Sequence, residues 1–193
     1  MKNIMILISG LPATGKTSFA QWLSAEMRVP LLSRERFINR FTDISNIVFE
    51  DEERRRTLGH GYLSGLYWFF CEEIMRSSSP LIIEFAFKSK MKEIIKRLVV
   101  KYEYQTINVH FDSSIDLSLR RFLEKIRDNS DSAGLPVEIS LEKINRITEN
   151  EVQKDIKNFR FGNRVIYVDA TDFANVSYSD IADKIRQNMP SLK

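Results

Sequence analysis

The sequence predicts an α/β fold: a three-layer sandwich in which helices cover both faces of a five-stranded parallel sheet. Two observations predict it. Five short apolar stretches alternate with segments of helical spacing, and the first stretch leads straight into a glycine-rich turn followed by a helix. Strands joined by helices need crossover connections, which make the strands parallel. With 193 residues, 43% of them hydrophobic, the chain is expected to form one domain.

The elements follow from two patterns, continuous apolar runs for buried strands and apolar residues at helical spacing for helices. Residues 4–8 are the first strand, and a helix is predicted from Lys16 to about Met27. The elements predicted after it are a strand at 31–32, two helices within 44–76, a strand at 81–85, a helix over about 90–102, a strand at 106–111, a helix from 115 to about 126, a helix from 138 to about 158, a strand at 165–168 and a helix at 179–187.

The glycine-rich turn matches the pattern G-x-x-x-x-G-K-[ST] in full. Glycines let backbone amides turn inward around phosphate oxygens, and the helix that follows adds a favourable field for an anion. The lysine reaches the β- and γ-phosphates, and the threonine hydroxyl can ligate magnesium. The sequence therefore predicts a site for a nucleoside triphosphate with Mg2+, formed by Gly10, Leu11, Pro12, Ala13, Thr14, Gly15, Lys16, Thr17 and Ser18.

Three segments carry a resemblance to a known family: residues 8–20 (ISGLPATGKTSFA), residues 32–37 (LSRERF) and residues 82–84 (IIE). Together they resemble the small P-loop kinases related to polynucleotide kinase and to antibiotic- and tRNA-modifying phosphotransferases. The likeness covers nearly the whole chain in element order, although only the glycine loop is specific by itself. It implies the strand order 2-3-1-4-5, an acceptor-binding helical arm at about 36–79 and a helical lid at about 115–137.

Three acidic residues, Glu84, Asp112 and Asp169, each follow an apolar strand. Ligands of parallel sheets collect at the carboxyl ends of the strands. In the strand order of P-loop kinases the third strand lies beside the first, so the resemblance makes Glu84, with Thr17, the magnesium-side candidate. It would act through a bound water, since magnesium keeps several. A residue that only caps its strand is the alternative for Glu84.

In the resembling kinases the second strand commonly ends in an Asp that accepts the proton of the attacking hydroxyl. Glu35 occupies the matching position, with a side chain one methylene longer, so the resemblance implies that Glu35 is the catalytic base. A base must lie within hydrogen-bond reach of the acceptor, which the longer side chain puts to the test. The alternative is an ion pair on a helix surface with Arg34, Arg36 or Arg40.

The family also carries arginines on a lid helix after the fourth strand. Arg120, Arg121 and Arg127 occupy that region, with Lys125 between them. Phosphoryl transfer needs cations around the transferred group, so the resemblance implies catalytic roles for these arginines beside Lys16. Residues 169–172 lie where such kinases often hold the nucleotide base, and a plain exit from the strand is the alternative.

The expected activity is that of an ATP-dependent phosphotransferase acting on a hydroxyl or phosphate group of a small-molecule or nucleotide-like acceptor. ATP is favoured over GTP because the chain has no N-K-x-D string, and its D-x-x-G string at 131–134 lies in the predicted lid. A regulatory ATPase without an acceptor is one alternative. A nucleic-acid 5′-end kinase is another, although the chain shows no Lys/Arg stripe with interleaved aromatics. No motif identifies the acceptor or the oligomeric state.

Composition favours a cytoplasmic protein. The net charge of +3 permits an anionic substrate without demanding nucleic acid, and the one cysteine excludes an intrachain disulfide. The N-terminal apolar run leads into the glycine loop and is no secretion signal, and the apolar stretch at 62–71 is too short to cross a bilayer.

Overall fold

One sheet of five parallel strands forms the middle layer of the molecule. The computed structural model describes residues 3–48, 60–130 and 149–189. All neighbouring strands are parallel, in the order β2-β3-β1-β4-β5, which confirms the predicted sheet and its strand order. The strands are β1 (Ile4–Gly10), β2 (Leu31–Ser33), β3 (Leu81–Glu84), β4 (Gln105–Asp112) and β5 (Val165–Asp169).

Helices cover both faces of this sheet. No helix in the described ranges is both long and apolar enough to cross a membrane. Short 3-10 turns lie at Ser89–Met91 and Phe173–Asn175. The α-helices are α1 (Lys16–Met27), α2 (Arg34–Val48), α3 (His60–Arg76), α4 (Lys92–Lys101), α5 (Ile115–Ser130), α6 (Asn150–Lys157) and α7 (Tyr178–Asn188).

Helix α2 begins earlier than the sequence predicted, at Arg34, directly after β2. The cause is apolar spacing that the surrounding charges obscure. Phe37 and Phe41 lie one turn apart with ring centroids 6.1 Å from each other, and Phe37 also packs edge-on against Tyr67 of α3 at 5.9 Å. The early start places residues 34 and 35 at the edge of the sheet.

Helix α5 extends beyond its predicted end near residue 126, because neither glycine nor proline interrupts the chain before Gly134. It includes residues 127–130, which the sequence placed beyond the helix. The D-x-x-G string at 131–134 lies outside the described residues, as do residues 138–148 of the helix predicted at 138–158. The bounds of the acceptor arm and of the lid stay predictions.

The two faces of β1 supply two hydrophobic cores. Ile6 and its neighbours on one face pack with α1 and α7, and Leu7 and its neighbours on the other face pack with α3 and α4. Burial of each such side chain stabilises the fold by about 1.5–3 kcal/mol. Every residue of β1 is buried, so the loop that follows β1 starts from the most firmly held strand of the sheet.

Candidate active site

The loop from β1 to α1 turns through three residues with positive φ: Gly10 at 133°, Ala13 at 51° and Gly15 at 83°. A Cβ at Gly10 would lie 2.1 Å from the carbonyl oxygen of Phe111 on β4. Glycine is therefore required at position 10 by the neighbouring strand, a reason that the motif alone did not reveal. Gly15 directly precedes α1, so the loop opens onto a helix N-terminus, as anion-binding loops do.

Lys16 lies buried inside this loop. Its Nζ donates a hydrogen bond to the carbonyl oxygen of Leu11, and it lies 3.4 Å from Oγ1 of Thr14. Burial lowers the pKa of Lys16 to about 8, against the opposing charges of Glu84 and Glu35. A polyphosphate in the loop would supply the negative charge that this buried ammonium lacks.

Glu84 and Thr17, the two residues predicted at the metal, meet at the carboxyl ends of β3 and β1. Oε1 of Glu84 accepts a hydrogen bond from Oγ1 of Thr17 at 3.3 Å, and Oε2 accepts one from Oγ of Ser33 at 2.7 Å. Two oxygen side chains beside a phosphate loop fit magnesium, which takes further ligands from phosphate and water. Within the described ranges no group of three His, Cys, Asp or Glu could hold a metal by itself.

The other two acids that follow strands have different partners. Asp112 forms an ion pair with Lys157 at 3.1 Å. Hydrogen bonds from the side-chain hydroxyl and the backbone N–H of Thr171 lower the pKa of the Asp169 carboxyl group. Of the three strand-end acids, Glu84 is the one that the structure places against Thr17.

Glu35 lies in the first turn of α2, two residues after the buried Ser33. Its side chain is exposed, yet its charge raises the pKa of Lys16. Because β2 lies beside β3, Glu35 and Glu84 approach the lysine from the same half of the sheet. The structure thus places Glu35 within electrostatic reach of Lys16.

One face of α5 is turned toward the loop. Oγ of Ser118 donates to the carbonyl oxygen of Pro12 at 2.7 Å, and Arg121 donates to the carbonyl oxygens of Ala170 and Thr171 at 2.8 and 2.7 Å. Lys125, one turn further along this face, lowers the pKa of Lys16 by its charge. Of the predicted lid arginines, Arg121 is on the loop side.

Arg120 and Arg127 lie elsewhere on the same helix. At roughly 100° per residue, they lie with Leu123 on a face about half a turn around the helix from Ser118 and Lys125. The sequence passed over Lys125, although the spacing of positions 118, 121 and 125 is the signal that could have found it.

The segment after β5 also reaches the loop, through an aromatic ring that the sequence did not single out. The ring of Phe173 lies where a Cβ on Gly15 would meet it at 3.4 Å, and the Arg121 guanidinium stacks on that ring at 4.1 Å. Asp172 caps the short 3-10 turn that holds Phe173. The predicted base-binding segment at 169–172 therefore lies beside the loop, with a half-exposed ring as its nearest described side chain.

No protein-family model matches the chain, and no curated protein does. Among solved structures it is similar to a protein of Chloroflexus aurantiacus with a provisional kinase assignment, at 24% identity over 98% of this chain and 100% of that one, with a TM-score of 0.76. It is also similar to shikimate kinase from Bacteroides thetaiotaomicron, at 12% identity over 95% and 97% of the chains and a TM-score of 0.53. A sugar kinase from Janibacter matches at 12% identity over 97% and 94%, with a TM-score of 0.52. At these identities the likeness concerns the fold: the chain has the fold of the small P-loop kinases.

Proposed function

We propose that the chain is an ATP-dependent kinase that transfers the γ-phosphoryl group to a hydroxyl or phosphate group of a small-molecule or nucleotide-like acceptor. The observation that carries the proposal is that Glu84 contacts Thr17 beside the phosphate loop while Glu35 begins the helix after the neighbouring strand, both within electrostatic reach of the buried Lys16. A phosphate loop alone would serve any nucleotide-binding protein. A second carboxylate at its mouth, on the side away from Phe173, is what a hydroxyl acceptor needs.

The loop residues have distinct roles in this proposal. Backbone amides from Gly10 to Ser18 and the Lys16 ammonium hold the triphosphate, and Lys16 stays with the γ-phosphoryl group as charge spreads over its oxygens. Thr17 and Glu84 would hold magnesium, which supplies charge neutralisation between the β- and γ-phosphates when bound. Glu84 is oriented for this by the hydrogen bond from Ser33.

Glu35 is the proposed general base. It would take the proton of the acceptor hydroxyl as the oxygen attacks the γ-phosphorus and the bond to the β-phosphate oxygen breaks. Its side chain is exposed and therefore accessible to an acceptor. Lys125 is the cation of α5 that we assign to the transferred group, and Arg121 joins the helix to the segment that holds the base.

The proposed base site is the ring of Phe173 beside Gly15. Stacking of a nucleobase on an aromatic ring contributes about 1–3 kcal/mol and tolerates any base. The preference for ATP therefore rests on the sequence, which has no guanine-binding N-K-x-D string.

The decisive variant is Glu35→Gln, which keeps the shape of the side chain and removes the base. We expect kcat to fall by roughly 100-fold or more while Mg-ATP affinity is retained. The assay follows transfer of labelled phosphate from ATP to sugars, hydroxy acids, nucleosides, aminoglycosides and 5′-hydroxyl oligonucleotides. The matched control is Glu93→Gln on α4, an exposed acid paired with Arg97 at 3.1 Å.

Two results would contradict a kinase that acts on a small-molecule or nucleotide-like acceptor. ATP hydrolysis with no labelled acceptor, at a rate indifferent to Glu35→Gln, would favour a regulatory ATPase. Transfer confined to 5′-hydroxyl oligonucleotides would make the protein a nucleic-acid end kinase.

A further inference from the structure

Arg34 occupies the edge of the sheet on the side of the proposed acceptor. It directly follows Ser33, the hydrogen-bond donor to Glu84, and its guanidinium lies over the ring of Phe85, 4.4 Å from the centroid. Nη2 of Arg34 donates to Oγ of Ser64 on α3 at 2.8 Å. Three elements, α2, α3 and the end of β3, thus hold this cation next to the proposed metal-side carboxylate.

Among the described residues no carboxylate forms an ion pair with Arg34. Its Nε is buried inside the protein without a hydrogen-bond partner, so a ligand would reach the guanidinium through its Nη atoms. Both oxygens of the nearby Glu84 are already engaged by Thr17 and Ser33. Burial lowers the pKa of Arg34, opposed by Tyr67. A buried charged donor without an acceptor is costly, so the position favours a ligand that supplies negative charge.

The guanidinium has the shape for such a ligand. Ser64 takes one N–H group of Nη2, and the stack on Phe85 fixes the plane in which the others point. A planar guanidinium binds a carboxylate or a phosphate through two parallel hydrogen bonds, which an ammonium cannot do. Ser33, the residue before Arg34, donates to Glu84, so an anion bound at Arg34 stays close to the proposed site of phosphoryl transfer.

We propose that Arg34 binds an anionic group of the acceptor, so that the substrate is a hydroxyl compound carrying a carboxylate or a phosphate. The inference rests on the proposed function and adds the substrate class. It also separates two sources of specificity: Glu35 acts on the hydroxyl, and Arg34 recognises the charge.

A purely structural Arg34 is the competing explanation, because its contacts also join α2 to α3. Loss of such a joint would weaken every acceptor alike. Loss of an anion site would weaken the charged acceptors and leave the neutral ones unchanged. The comparison of charged with neutral acceptors therefore distinguishes the two.

The test uses pairs of hydroxyl compounds that differ by their anion: gluconate with sorbitol, glycerate with glycerol, and a nucleoside 5′-monophosphate with its nucleoside. Each is titrated calorimetrically into the full chain saturated with Mg–AMP-PNP, so that the phosphate loop is occupied and cannot bind the anion. We expect the anionic member of at least one pair to bind roughly 10- to 100-fold more tightly.

Arg34→Met should abolish that preference, and Arg34→Lys should retain part of it, since the charge remains without the planar fork. Arg36→Met is the matched control, an exposed arginine on the same helix, and should keep the full preference. If Arg34→Met fails to fold, the preference of the wild type and its reduction in Arg34→Lys decide the question.

The outcomes separate this inference from the proposed function. Failure of the wild type to bind Mg–AMP-PNP overturns both. With the nucleotide bound, equal affinity within every pair, binding of neither member of any pair, or a preference that survives Arg34→Met overturns the anionic acceptor and leaves the kinase standing.

Discussion

Two arginines stack on phenylalanine rings on opposite sides of the phosphate loop, and they differ in how their charge is satisfied. Arg121 lies over Phe173 at 4.1 Å and donates to two backbone carbonyls. Arg34 lies over Phe85 at 4.4 Å and donates to one serine hydroxyl. The geometry of the stacks is alike, whereas the hydrogen bonding is not.

The difference in hydrogen bonding indicates different roles for the two arginines, a structural one for Arg121 and a ligand-binding one for Arg34. Carbonyl oxygens satisfy Arg121 without a ligand, so it holds α5 against the segment that carries Phe173. Arg34 has no ion-pair partner among the described residues, which is why we propose that an anionic group of the acceptor binds there. An arginine stacked on an aromatic ring is thus no sign of function by itself. The partners of its N–H groups distinguish a structural arginine from one that can bind a ligand.

The largest effect is expected from a substitution in the phosphate loop itself, which lies between the Arg34 side and the Arg121 side of the site. Gly10→Ala would bring a Cβ to 2.1 Å from the carbonyl oxygen of Phe111, at a backbone φ of 133°. We expect a loss of about 3 kcal/mol or more in the free energy of unfolding, because backbone rather than a flexible side chain must move. Urea denaturation measures it. Gly65→Ala on α3, where nothing lies within 4 Å, is the control and should be neutral or stabilising.

A smaller and one-sided effect is expected at the ring beside Gly15. Phe173→Ala should raise the KM for ATP roughly 10-fold, since a stacking platform for the base is lost, and should leave the KM for the acceptor unchanged. Steady-state kinetics with each substrate varied in turn provide the measurement. An equal rise in both KM values would show that the two sides of the loop are not independent.

The smallest expected effect is the uptake of a fraction of a proton by Lys16 when the nucleotide binds. The pKa of Lys16 is lowered from 10.5 to about 8 in the nucleotide-free protein, and a bound triphosphate favours the charged lysine. Binding of Mg–AMP-PNP should therefore take up about half a proton near pH 8, and the affinity should decline as the pH rises above 8. Calorimetry in buffers of different ionisation enthalpy counts the proton. Absence of uptake at that pH would mean that Lys16 is already fully charged.

The same shift has a consequence for stability. Between about pH 8 and 10.5 the unfolded chain holds the proton that folded Lys16 has lost, so the contribution of this residue to stability increases with pH across that window.

The sheet and the loop could be predicted because their signals are local: a continuous apolar run, followed by glycine and lysine at fixed spacing. The order of the strands came from the resemblance. Glu84 could be named because it ends an apolar strand that the resemblance places beside the first, and Glu35 because the resemblance implies a base after the second strand.

The flanks of the site could not be predicted in the same way. Whether Lys125 or Arg120 faces the loop depends on the rotation of α5, which is set by contacts such as that of Ser118 with Pro12. Phe173 and Arg34 reach the site through tertiary contacts across long sequence separations. For Arg34, the burial of the side chain and the lack of an ion-pair partner among the described residues can be seen only in the folded structure.

The most direct test of the account is calorimetric titration of Mg–AMP-PNP into the wild type and Lys16→Met. The variant replaces the ammonium with an apolar group of similar length inside the loop. The account predicts saturable one-to-one binding to the wild type and a loss of affinity of about 100-fold in the variant, because a charge-assisted contact to phosphate is removed. Equal affinity in the two proteins, or no binding to the wild type, would contradict it.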